Sequence, residues 1–156
     1  MLPAKSKAFV ERVGEFFSRL GHQRIAGRLI GWLLISEPEH QSAAELVEVV
    51  SASKASISIN LRLLMAAGLV ERIGVSGERR AYYRLRSIAW TRDWGTKLGQ
   101  IAELRRIADS GLELLKDEPA PRGKRLQGMR DYYAFMEREL PPVIDKWLAS
   151  DKAQDG

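Results

Sequence analysis

Residues 42–86 constrain the fold of this chain more than any other stretch. They read SAAELVEVVSASKASISINLRLLMAAGLVERIGVSGERRAYYRLR. Ser42 and Glu45 have the spacing of a capping box, in which each side chain satisfies a free amide at the start of a helix. Leu46, Val49 and Val50 give that helix an inner face. Ser51-Ala52-Ser53 supplies a three-residue turn, and Ser53 is a suitable cap for a second helix running to Ala67. Gly68 stops it. Residues 69–75 then take a strand pattern, Ser76-Gly77-Glu78-Arg79 turns the chain, and residues 80–85 return as a second strand. Helix, turn, helix and a basic hairpin in this order form a helix-turn-helix followed by a wing, an arrangement suited to holding DNA.

The charge distribution agrees. Residues 51–86 hold seven basic side chains (Lys54, Arg62, Arg72, Arg79, Arg80, Arg84, Arg86) against two acidic ones (Glu71, Glu78). Their balance of +5 equals that of the whole 156-residue protein. The positive charge is therefore concentrated on the element that would meet phosphates.

The flanks read as helices. Residues 5–20 carry Phe9, Val13, Phe16 and Leu20 at spacings of three and four. Residues 23–35 are apolar enough to be buried, and Gly27 and Gly31 lie on one face, where another helix can pack closely. Beyond Arg86, Trp90, Trp94, Leu98, Ile101, Ala108, Leu112 and Leu115 form one stripe of a long helix, which residues 117–121 break. Leu126, Met129, Tyr133, Met136, Leu140, Val143 and Trp147 then alternate steps of three and four as a heptad seam. That seam predicts a homodimer contact over residues 122–149. Pro141 and Pro142 predict a kink or restart inside it.

Composition excludes several functions. The chain has no cysteine, which rules out a disulfide framework, a thiol sensor and a cysteine-ligated zinc site. His22 and His40, the only histidines, sit apart at helix ends and give no ligand set. No glycine loop cradles a phosphate, and no histidine is placed to activate a serine. The expectation is a non-enzymatic protein without metal or cofactor. The start of the chain lacks a signal-peptide core, and residues 29–35, the most apolar run, are too short to span a bilayer. A soluble cytoplasmic protein is expected, with no membrane partner.

The second helix of the motif is the expected reading head. Ile57, Leu61 and Leu64 would anchor it in the core. Ala55, Ser58, Ile59 and Arg62 lie opposite, with Ser56 on the flank. Ser53, Lys54, Ala55 and Ser56 form a first turn whose hydroxyls and free amides can bind phosphate. Arg62 and Lys54 are each suited to guanine or to the backbone, and Ile59 to a thymine methyl. Arg79 and Arg80 stand at the hairpin tip, from which an arginine enters a minor groove; Glu78 is equally placed to pair with Arg80 and hold the turn. Ser42 completes the DNA-facing candidates.

Three stretches carry a family resemblance: Arg24-Ile25-Ala26-Gly27-Arg28-Leu29-Ile30-Gly31-Trp32-Leu33-Leu34; Ser42-Ala43-Ala44-Glu45-Leu46 with Ser53-Lys54-Ala55-Ser56-Ile57-Ser58; and Ala66-Ala67-Gly68-Leu69-Val70-Glu71-Arg72 with Gly77-Glu78-Arg79-Arg80-Ala81-Tyr82-Tyr83-Arg84-Leu85. Over residues 22–86 the chain resembles the GbsR/MarR-type winged-helix transcriptional regulators. The resemblance implies a homodimer on a pseudo-palindromic operator in double-stranded DNA, usually as a repressor, with the first and the last two helices building the dimer. It also implies a small effector bound between dimer helices and winged domain, where Trp90, Trp94 and Arg86, with Arg92 nearby, are the candidates. Gln23 stands where the family usually has proline, and the cysteines of its peroxide-sensing members are missing.

The expected fold is therefore mainly α with a small β-hairpin wing. Residues 1–21 would be an N-terminal dimerisation helix, 22–87 a winged helix-turn-helix domain and 88–150 a C-terminal helical dimerisation region. Two other functions fit the same fold: an architectural protein binding DNA without sequence preference, and a winged-helix module that holds proteins.

Overall fold

The computed structural model describes residues 2–86 and 94–154. The chain forms two compact units, Met1–Trp90 and Thr91–Gly156.

The first unit opens with α1 (Ala4–Arg19) and α2 (Arg24–Leu33). Their contact is backbone to backbone, as the glycine pair predicts. A Cβ on Gly27 would stand 2.7 Å from the Val13 carbonyl oxygen and 2.8 Å from the Gly14 Cα. A Cβ on Gly31 would meet the Val13 Cβ at 3.1 Å and the Val10 Cα at 3.2 Å. Charge closes the rim: Glu11 pairs with Arg24 at 3.0 Å and with Arg28 at 2.9 Å. Burial alone would push the Glu11 carboxyl up, but the two guanidiniums override it and leave it below the ordinary carboxylate value. α1 lies in the same compact unit as the winged helices.

The core of this unit joins α2 to α3 (Ala43–Val50) and α4 (Lys54–Ala66). Leu29, Ile30, Leu46, Ile57 and Leu61 are buried there, and Val70 of β2 (Val70–Gly74) closes it. The sheet has one strand more than a hairpin. Gln41–Ser42 forms a short β1 that pairs antiparallel with β3 (Ala81–Leu85), giving the order β1-β3-β2. Gln41 faces Tyr83 and Ser42 faces Tyr82. Two residues are too few for any alternation to show in sequence.

In the second unit α5 (Trp94–Leu114) packs on α6 (Ala120–Gln154). Of the expected α5 stripe, Ala108 is fully buried and Trp94, Leu98, Ile101 and Leu112 are half-buried. Three features of α6 bear on the expected seam. The helix runs unbroken through Pro141 and Pro142. The carbonyls deprived of partners belong to Glu137 and Arg138. Next, the seam from Leu126 to Leu140 is half-buried against α5 of the same chain: a Cβ on Gly111 would stand 2.7 Å from the Leu126 Cδ1. Arg105 pairs with Glu137, and Arg130 with Asp109 at 2.7 Å, across the same contact. Finally, Val143 and Trp147 leave the seam, at 64% and 55% exposed, and Ile144 takes over, at 7%. A strict heptad drifts about 20° per repeat on a straight helix, so after two repeats a four-residue step from Leu140 to Ile144 restores the inward face and the three-residue step to Val143 does not.

Candidate nucleic-acid interface

The turn before α4 is made by local chemistry. Ser51 caps α3 in the left-handed region, with φ 53°, and Ala52 donates to the Val47 carbonyl at 3.4 Å. Ser53 then caps α4, its Oγ accepting from the Ser56 amide at 3.1 Å. The helix ends before Gly68, whose φ of +75° only glycine adopts without strain.

Ile57, Leu61 and Leu64 are buried, as the anchoring arc predicts. Ser53, Lys54, Ala55, Ser58, Ile59 and Arg62 are exposed on the opposite side, and Ser56 is half-buried. The fold thus brings together the candidates expected on the reading helix. Sequence reasoning passed over Asn60, which is fully buried between the anchors. Its Nδ2 donates to the Gln23 Oε1 at 2.9 Å and to the Ser56 carbonyl at 2.9 Å. Gln23, the residue that departs from the family's proline, is the N-cap position of α2 and ties that helix to α4. The signal was available, because position 60 lies on the same arc as Ile57, Leu61 and Leu64.

Ser42 does not belong with the DNA-facing residues. It is 2% exposed. Its Oγ accepts from the Glu45 amide at 3.3 Å and donates to the Glu45 Oε2 at 2.7 Å, while its own amide donates to that oxygen at 2.7 Å. The complete capping box uses its polar atoms, so Ser42 positions α3. Ser42→Ala is expected to lower stability by about 1 kcal/mol, read as a shift in the urea midpoint. The box is also acid-sensitive. Hydrogen bonds from the Ser42 amide and hydroxyl hold the Glu45 carboxyl below its usual value. With the folded pKa below the unfolded one, the stabilisation is full above the ordinary carboxylate range and is lost as pH falls through the lowered value. Glu45→Gln should remove that part of the acid dependence.

The wing separates its cations into two groups. Arg80 stays at home: its Nε lies 3.4 Å from the Glu78 Oε2 and donates to the Tyr82 hydroxyl at 2.8 Å. This is the alternative left open for the Glu78–Arg80 pair, and it ties Arg80 to the hairpin. Arg84 pairs with Glu71 at 2.8 Å and Glu39 at 3.1 Å. Among the described residues, no ion pair engages Lys54, Arg62, Arg72 or Arg79. The tight turn sits one residue earlier than expected, with Glu78 donating to the Val75 carbonyl at 3.0 Å and Gly77 at φ +82°. Arg79 follows it, exposed. Arg72 was missing from the site candidates. It is exposed, and its cross-strand partner is Tyr83, so both share one face of the sheet. Tyr83 lines an apolar hollow of about 220 Å³ together with Lys54, Ser58 and Arg62. Arg72 therefore stands on the face of the wing that turns toward α4. Its place in the strand alternation was the signal.

Of the expected effector residues, Arg86 follows β3 in the first unit and Trp94 opens α5 in the second. The Lys97 Nζ lies 4.9 Å from the Trp94 ring centroid. Trp90 and Arg92 lie outside the described residues. Among the described residues, no helix is long and apolar enough to cross a membrane.

Comparison with known proteins agrees with this architecture. Residues 89–150 match the model of the MmpR5-like MarR family transcriptional regulators. That match falls on the C-terminal helices, where resemblance in the sequence was weakest. The HTH-type transcriptional regulator MmpR5 of Mycobacterium tuberculosis is 42% identical over 139 residues, covering 89% of this chain and 84% of that protein. A crystal structure described as that of a transcriptional regulator is 40% identical, with a TM-score of 0.77 over 93% of this chain and 99% of that one. Neither relative is described as a GbsR-type protein. The winged helix-turn-helix and these matches together place the chain in the MmpR5-like MarR family of transcriptional regulators.

Proposed function

We propose that this regulator is a dimeric, sequence-specific repressor that lays α4 in the major groove of each operator half-site and sets Arg79 of the wing against the neighbouring backbone. The observation that carries the reading is the set of exposed cations without ion-pair partners among the described residues, Lys54 and Arg62 on α4 and Arg72 and Arg79 on the wing, beside the open face of α4. The other wing arginines, Arg80 and Arg84, are neutralised locally. Arg80 and Ser42 accordingly leave the contact set, and Arg72 joins it.

The dimer is supported by apolar surface on the second unit. Tyr132, Phe135, Val143 and Trp147 are each more than half exposed and lie within one arc of α6, flanking the side that buries Ile144. The interface proposed for residues 88–150 uses this arc, not the Leu126–Leu140 seam that packs on α5. Phe9, Phe16 and Leu20 leave a second exposed stripe on α1, in keeping with a dimer role for residues 1–21. Release by a small effector is supported by the family resemblance alone.

The reading is tested by genomic footprinting followed by titration of the recovered site at several salt concentrations. A protected pseudo-palindrome upstream of a gene whose transcription rises on deletion of the regulator is the expected result. Uniform coverage of DNA would instead show an architectural protein. Arg79→Ala is expected to weaken specific and random DNA alike, about fivefold, and to reduce the slope of log K against log salt by about 0.9 per protomer. An unchanged slope would take the wing tip off the backbone.

A further inference from the structure

The exposed side of α4 has an unusual chemistry for a surface that reads bases. Its polar members are Lys54, Ser58 and Arg62; its apolar members are Ala55, Ile59, Leu63 and Ala66. Ile59 is 45% exposed and Leu63 53%. The helix contains no glutamine, aspartate or glutamate, and its one asparagine, Asn60, is buried and bonded to Gln23 and the Ser56 carbonyl. Adenine is recognised at N6 and N7 by a side chain that both donates and accepts, which asparagine and glutamine supply; the cytosine amine needs a carboxylate acceptor. Neither kind of reader is available here. A serine hydroxyl bonds to any base.

Two modes of base recognition remain: a cation on guanine, and apolar contact with the C5-methyl of thymine. Single exposed apolar residues need no explanation. Here they line up, and the line is flanked by Lys54 and Arg62, whose charge complements a duplex. The N-terminal half of a recognition helix reaches deepest into the groove. That half presents Ala55 and Ile59, one turn apart and about 6 Å along the axis. This spans roughly two base-pair steps of 3.4 Å each.

We propose that α4 selects its operator through thymine methyl groups, with Ile59 as the principal reader and Ala55 beside it. The assignment rests on the operator-binding function proposed above and adds the base chemistry that gives it specificity. Each half-site then carries a thymine under Ile59, with a second thymine within two steps of it where Ala55 makes contact.

The test uses the full-length protein and an operator selected from a pool of random duplexes. Each thymine of one half-site is replaced singly by deoxyuridine, which removes the methyl and leaves pairing unchanged. One or two positions should weaken binding about fourfold each, the effect of one buried methyl-sized group. Ile59→Ala should abolish the penalty at its position and weaken the selected site far more than random duplex. Because Ile59 is exposed and outside the core, the variant keeps its fold, which an unchanged helical circular dichroism and urea midpoint verify. A penalty that persists in Ile59→Ala assigns the methyl to another group, and the absence of a penalty at every thymine removes methyl reading altogether; either overturns the proposal while leaving sequence-specific binding standing. If selection enriches no sequence, the regulator reading itself fails and methyl reading with it.

Discussion

Gly27→Ala is expected to destabilise the first unit by about 2 kcal/mol, the range for forcing a methyl into a close-packed contact. The sign is not given by helix propensity, which favours alanine over glycine by about 1 kcal/mol. It is set by what the new methyl would meet. The Val13 carbonyl oxygen at 2.7 Å and the Gly14 Cα at 2.8 Å are backbone atoms, and no rotamer change moves them. Only α1 as a whole can withdraw, and with it Val10, 3% exposed in the native packing. Gly31→Ala meets softer neighbours, the nearest at 3.1 Å, and should stay within about 1 kcal/mol of the native protein. Urea unfolding of both variants checks the pair. Equal midpoints for Gly27→Ala and the native protein would mean that α1 is not seated this closely on α2.

Val143→Glu combined with Trp147→Glu is expected to give a folded monomer whose operator affinity is at least about a hundredfold lower, because the two half-sites are then engaged independently. Both side chains are exposed, at 64% and 55%, so the substitutions leave the contact with α5 intact and the helical circular dichroism unchanged. Met136→Glu with Leu140→Glu makes the contrast. Those residues are half-buried on the α5 side, and charges there should unfold the second unit whether or not the protein dimerises. Sedimentation of the first variant decides the matter: a dimer that survives it uses another surface.

The parts of the fold legible in the sequence were those fixed by local chemistry. The Ser42–Glu45 box, the Ser53 cap, the Gly68 stop and the Gly27–Gly31 face each depend on a few neighbouring residues, and each stands where the chain predicts it. The parts that were not legible depend on partners far away in sequence. Gln41 and Ser42 become a strand only because Tyr82 and Tyr83 come alongside. The two prolines of α6 predict a kink or restart, yet the helix continues past them. The heptad seam packs in part on α5 of the same chain, a neighbour that periodicity alone does not name. In the interface, the reading helix and its exposed side were legible from one amphipathic arc. Which cations remain open was not, because the pairing of Arg84 with Glu39 and Glu71 joins three elements.

The seat of α1 on α2 also has a mechanical consequence. A contact made through side chains has slack, because rotamers can turn to absorb a displacement. The contact at Gly27 has none, since backbone rests on backbone. The next link is Asn60, held without exposure between the start of α2 and the first turn of α4. Motion of α1 is therefore passed to α2 with little loss, whereas the bond from Gln23 to Asn60, made through side chains, leaves play before α4. A grip on the first helix is thus a direct grip on α2.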